Sequence, residues 1–158
     1  MLPHAWASFC AEFPDDPDPV ESRCSGVGEY LAGQLRKAGG SVIGTELWRD
    51  CGYEVNCRIN GKPIYFYVSY VGLGAVQYVL CCASDRGLIG WLKRVDHTAE
   101  RWQLANALHR VMAADSHFRD IRWYVERGWA AGGDEPWVRN PACGVDHEPT
   151  ADQPPGSG

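Results

Sequence analysis

Apolar positions recur three and four apart in the first third of the chain, at Val20, Cys24, Val27, Tyr30, Leu31, Leu35 and Ala38. That spacing predicts an amphipathic helix with one buried stripe. Asp18 is placed to cap it, Pro19 takes the first helical position, and Glu21 in the first turn suits the positive end of the helix dipole. Gly39 and Gly40 end it. From Thr45 onward the period falls to two, with Tyr53, Val55, Cys57 and Ile59 on one side and Glu54, Asn56 and Arg58 on the other, which predicts a half-buried strand. The strand runs into Ile59-Asn60-Gly61-Lys62, where Asn-Gly suits a two-residue type I′ hairpin because both central residues need positive φ. Residues 64–71 and 75–83 form two further runs rich in Val and Tyr, separated by Gly72-Leu73-Gly74. Together these segments predict an antiparallel meander whose central strands are covered on one face by helices.

A short helical turn is expected at residues 88–92. Asp96 or Thr98 then caps a second long helix, whose apolar face is Trp102, Ala105, Leu108, Val111 and Met112 and which ends near Ala114. Residues 121–125 read as a last short strand. The expected fold is α+β, a two-layer sandwich of two main helices on an antiparallel sheet of three to four strands, in the order α-β-β-β-α-β. Residues 1–17, with Phe13-Pro14-Asp15-Asp16-Pro17, read as an irregular arm, and residues 18–130 as one domain. Residues 131–158, rich in Gly, Pro and acidic side chains, read as a flexible tail.

Charge narrows the choice of partner. Fifteen Lys and Arg against 20 Asp and Glu give a net charge of −5, so the summed field repels a phosphate backbone, and the pairs Arg36-Lys37 and Lys93-Arg94 are isolated. Nucleic acid is not expected as a partner. No run of about 20 apolar residues marks a membrane span, and the first residues lack the pattern of an export signal. The chain therefore reads as cytoplasmic, where its 7 cysteines, odd in number and irregular in spacing, stay reduced.

The candidate chemistry is thin. Cys143 and His147 are spaced as half a zinc site, with His4 and Cys10 as distant second donors, and the paired ligand cluster of structural zinc is missing. Cys51, Cys57 and the vicinal Cys81-Cys82 lack a cationic setting that would activate a thiol, and read as small buried hydrophobes. His97, His109 and His117 have no nucleophile-elbow partner; the last two flank a helix end, where the dipole favours an imidazolium. Gly72-Leu73-Gly74 is a turn rather than a phosphate cradle. No metal or cofactor is expected, and the chain reads as non-enzymatic. What remains is aromatic and acidic surface: Trp48 and Trp91, with Asp50 and Glu54 beside the first strand and Asp15 and Asp16 in the arm. Tryptophan is enriched at binding hot spots.

The segments Phe13-Pro14-Asp15-Asp16-Pro17-Asp18-Pro19, Trp48-Arg49-Asp50-Cys51-Gly52-Tyr53 and Ile121-Arg122-Trp123-Tyr124 follow one another in an order that resembles small bacterial proteins of the immunity type, which accompany polymorphic or secreted toxins. The resemblance spans residues 4 to 129. It implies a protein that binds and neutralises one cognate toxin or effector, with Asp15, Asp16, Trp48, Asp50, Glu54 and Trp91 as contact residues. Two other classes stay open: a small cysteine- or metal-dependent enzyme using Cys51 or the Cys143 and His147 donors with His109 or His117, and a secretion chaperone. The oligomeric state is not legible.

Overall fold

The computed structural model describes residues 4–13, 20–48, 52–73, 76–84, 96–125 and 136–141. In chain order the elements are β1 (Trp6–Ala11), α1 (Val20–Lys37), β2 (Val42–Trp48), β3 (Gly52–Ile59), β4 (Lys62–Leu73), β5 (Val76–Ala83), α2 (Thr98–Ala113) and β6 (Phe118–Tyr124). The six strands form one sheet in the order β2-β3-β4-β5-β1-β6, and every neighbouring pair is antiparallel.

The class is α+β as expected, but the sheet has six strands rather than three to four. The expected irregular arm contains β1, which enters the sheet as an inner strand between β5 and β6. Its sequence, Trp-Ala-Ser-Phe-Cys-Ala, shows no alternation because all but Trp6 are buried. A strand covered on both faces loses the period of two that betrays a half-exposed one. β2 was also missed as a separate strand, since the expected strand began at Thr45 and ran on without a break, whereas β2 ends at Trp48 and β3 begins at Gly52.

The predicted hairpin is present. Ile59 pairs with Lys62, and the two residues between them have positive φ, 51° at Asn60 and 77° at Gly61. α1 ends in a Schellman-type cap, in which Gly39, at φ 85°, lets the Gly40 amide donate to the Leu35 carbonyl at 2.8 Å. At the start of α2 the Asp96 carboxylate accepts from the Thr98 amide at 2.8 Å.

Both helices lie on one face of the sheet. Cys24, Val27, Leu31 and Leu35 from α1 and Leu104, Ala105, Leu108 and Met112 from α2 share a core with Tyr53, Val55, Ile64, Phe66, Val68, Leu80, Phe9 and Trp123. Cys24, Val27, Leu31, Leu35, Ala105, Leu108, Met112, Tyr53 and Val55 are buried as the periodicities predict, whereas Ala38, expected in the first stripe, is exposed and Leu104 was not in the expected face. The opposite face carries Trp6, edge-on to Tyr67 at 6.1 Å, and a hydrogen bond of 3.1 Å between the Ser8 and Tyr124 hydroxyls.

Within the stretch read as a tail, residues 136–141 are packed against the fold. Val138 and Trp123 exchange two backbone hydrogen bonds of 2.9 Å, the Trp102 indole donates to the Pro141 carbonyl at 2.7 Å, and the Arg122 guanidinium lies 4.8 Å from the Trp137 ring centroid. The β6 edge is thereby occupied at Trp123. The expected helical turn at 88–92, the Cys143 and His147 pair, and the rest of the 131–158 stretch lie outside the described residues.

Candidate functional site at the β2 edge

β2 ends the sheet on the side away from β6, so one row of its backbone groups has no strand beside it among the described residues. The sequence makes it a strand because Val42, Ile43, Thr45, Leu47 and Trp48 favour extended backbone and the Gly39-Gly40 stop separates them from α1. Its register with β3 is Val42 opposite Cys57, then a bulge, then Gly44 opposite Asn56, Thr45 opposite Val55, Glu46 opposite Glu54, Leu47 opposite Tyr53 and Trp48 opposite Gly52.

Two large apolar side chains stand out on this edge: Ile43 is 56% exposed and Leu47 67% exposed, the large hydrophobic side chains most open to solvent among the described residues. Edge strands usually carry charge or proline instead, because an open apolar edge invites pairing. Glu46 and Glu54 face one another directly on the sheet face away from the helices.

The helix side of the edge is tied down. Glu29 of α1 accepts hydrogen bonds from Thr45, at 3.1 Å, and from the Tyr53 hydroxyl. Burial first, and then this bond to a carboxylate, push the Tyr53 hydroxyl above its ordinary pKa. The Tyr53 ring lies against Gly28, where a Cβ would overlap it. Glycine at this position allows helix and strand to approach, so the edge is held rigidly on α1.

A second cluster lies where α2 turns into β6. Asp115 accepts from the Tyr30 hydroxyl and meets the His117 Nδ1 at 2.6 Å, while Phe13 stacks on the His117 ring at 4.9 Å and 12°. Burial alone would raise the Asp115 pKa, but the hydrogen bonds from Tyr30 and His117 hold it below the usual value. The cluster fixes residue 13 against the fold.

Of the expected contact residues, Asp15, Asp16, Asp50 and Trp91 lie outside the described residues. Trp48 closes β2, and Glu54 sits half-buried one strand in. The structure thus places Trp48 on the outer strand and Glu54 on the strand beside it, and adds Ile43, Glu46 and Leu47 on the outer strand, which sequence reasoning missed. The signal available was the unbroken strand-forming run from Val42 to Trp48.

The other candidates resolve differently. Cys57 and Cys82 are buried as expected, and burial pushes the Cys57 thiol up to about 11 and Cys82 well above its usual value, so neither is an activated nucleophile. His109 is not the dipole-stabilised imidazolium that its place near a helix end suggests. Its Nδ1 accepts from the Trp123 indole at 3.2 Å, and burial lowers its pKa, so the neutral ring is favoured. No group of three or more metal-binding side chains occurs among the described residues, and no described helix is long and apolar enough to cross a membrane.

No family model matches the chain, and none of the curated proteins or solved structures compared with it matches either.

Proposed function

We propose that this chain is a non-enzymatic binding protein of the immunity type, which neutralises a cognate bacterial toxin or effector in the cytoplasm by direct contact. The observation that carries the reading is the pair of exposed apolar side chains, Ile43 and Leu47, on an open strand edge next to Glu46 and Glu54. Apolar side chains beside carboxylates, on backbone anchored through Glu29, Thr45 and Tyr53, make a preorganised protein-binding surface. The net charge of −5 favours a basic partner, since complementary fields speed encounter. Trp48 closes the same strand, and Asp15, Asp16, Asp50 and Trp91, which lie outside the described residues, complete the proposed contact set.

Co-expression with the product of the adjacent gene tests this. The expected result is a one-to-one complex on co-purification and protection of growth from that product's toxicity. A toxic neighbour that neither binds nor is neutralised would refute it.

The Asp115 and His117 pair favours a second reading, a small enzyme with His117 as base and Asp115 orienting it. A hydrolytic activity lost in His117→Ala with the fold retained would establish it in place of the binding role.

A further inference from the structure

We propose that His109 is an acid-sensitive latch: only its neutral ring holds the Trp123 indole, and a second proton on that ring releases Trp123 and the segment 136–141 bound beside it. The inference does not depend on what the chain binds. It starts from one face of α2, on which Trp102 and His109 lie about two helical turns apart. Each holds part of the same piece of structure. The Trp102 indole donates to the Pro141 carbonyl at 2.7 Å, and His109 Nδ1 accepts from the Trp123 indole at 3.2 Å, with the two rings edge-on at 6.2 Å. Trp123 in turn exchanges two backbone hydrogen bonds of 2.9 Å with Val138. Residues 138–141 therefore bridge α2 and the edge of β6, and the bond between His109 and Trp123 ties that helix to that strand.

An indole N–H can only donate, so the contact needs a bare Nδ1 with the ring proton on Nε2. A second proton goes onto Nδ1 and turns the acceptor into a donor. Two N–H groups then face one another. Trp123 is fully buried, so solvent does not replace the lost acceptor while helix and strand stay together, and an unsatisfied buried donor is costly. Separation of β6 from α2 relieves that cost, and it pulls apart the two supports that residues 138–141 share.

Burial lowers the His109 pKa from the ordinary 6.5, so the latch is closed above that value and opens as pH falls below it. Among the described residues no charge contributes to that shift. The charged groups on the elements around the ring are exposed or engaged elsewhere. Arg110, next on the helix, and Arg139 are exposed, and the Arg122 guanidinium lies over the Trp137 ring. Arg101 donates to the Cys82 carbonyl, Glu100 pairs with Lys62, Asp115 is taken by Tyr30 and His117, and Glu29 of α1 by Thr45 and Tyr53.

The test is a titration of the full chain from about pH 8 to 5, followed in nitrogen-proton and histidine ring spectra. The ring signals report the proton on His109, the Trp123 indole signal reports the bond, and amide-exchange protection at Val138 reports the bridge. The Trp123 indole is expected to shift with the same midpoint as the His109 ring, below 6.5, while Val138 protection falls roughly fivefold or more, the scale of one buried hydrogen bond. His109→Asn puts a side-chain oxygen that does not titrate in place of Nδ1, and holds both signals at their high-pH state throughout. His109→Leu offers no acceptor, so Val138 protection is already low at the top of the series. His4→Gln, at the other histidine lowered by burial, leaves the wild-type response intact. An indole signal that ignores the His109 midpoint, a His109→Asn protein that responds to acid as the wild type does, or Val138 protection that holds while the His109 ring titrates would overturn the inference.

Discussion

Three glycines on α1, at positions 26, 28 and 33, give a sharp test of how helix and sheet are joined. Glycine in a helix interior costs roughly 0.5–1 kcal/mol relative to alanine, so Gly→Ala stabilises wherever the new methyl has room. At Gly26 and Gly33 nothing lies within 4 Å of the added Cβ. At Gly28 the Cβ would overlap Tyr53 Cδ1, with Cγ at 3.0 Å and Cε1 at 3.1 Å. The ring has little freedom to retreat, being 6% exposed with its hydroxyl hydrogen-bonded to Glu29, the next residue on the helix. Overpacking a buried contact costs about 1–3 kcal/mol, and loss of the hydrogen bond to a carboxylate adds about 1.5 kcal/mol or more. After the helix-propensity gain, Gly28→Ala is expected to destabilise the protein by about 1.5–4 kcal/mol. In urea unfolding followed by far-ultraviolet circular dichroism, with a slope of about 2 kcal/mol/M, the midpoint drops by roughly 0.8–2 M. Gly26→Ala and Gly33→Ala instead raise it by a few tenths molar, about 0.5–1 kcal/mol. In a Tyr53→Ala background the Gly28→Ala penalty disappears. If Gly28→Ala matches the other two in the wild-type background, the close approach that holds β3 and the β2 edge on α1 is wrong.

Three further outcomes are expected. Truncation after residue 135 removes the two Trp123 and Val138 backbone hydrogen bonds and the Trp102 contact with Pro141, and costs about 1–3 kcal/mol, with faster amide exchange at Trp123. Gly61→Val, at φ 77° in the hairpin, costs about 1–2 kcal/mol in thermal unfolding, since a branched side chain does not adopt that backbone. Burial holds His4 and His109 below the ordinary histidine value of 6.5, so the unfolded chain binds more protons than the folded one as pH falls through 6.5; stability is full above that pH and declines as pH falls toward the folded-state values. His109→Gln flattens part of this decline in a pH series of unfolding midpoints, and an unchanged slope would refute its share.

Much of the scaffold could be read along the chain. The three-and-four spacing of Cys24, Val27, Leu31 and Leu35, the alternation from Tyr53 to Ile59 and the Asn60-Gly61 turn are local signals, and all three correspond to what folds. Each depends on a contrast between a buried side and a solvated one, or on a φ that few residues accept. β1 offered neither contrast. Its small residues Ala7, Ser8 and Ala11 are buried between β5 and β6, which come from distant parts of the chain.

The candidate site divides in the same way. Sequence marked Trp48 and Glu54 as chemistry in search of a surface, from residue type alone. Only the tertiary structure decided that β2 is an outer strand, that Glu46 stands opposite Glu54, and that Ile43 and Leu47 are left in solvent. Exposure at an edge follows from which strands pair and in what order, and that order is set by long-range contacts that leave no period in the sequence of the strand itself.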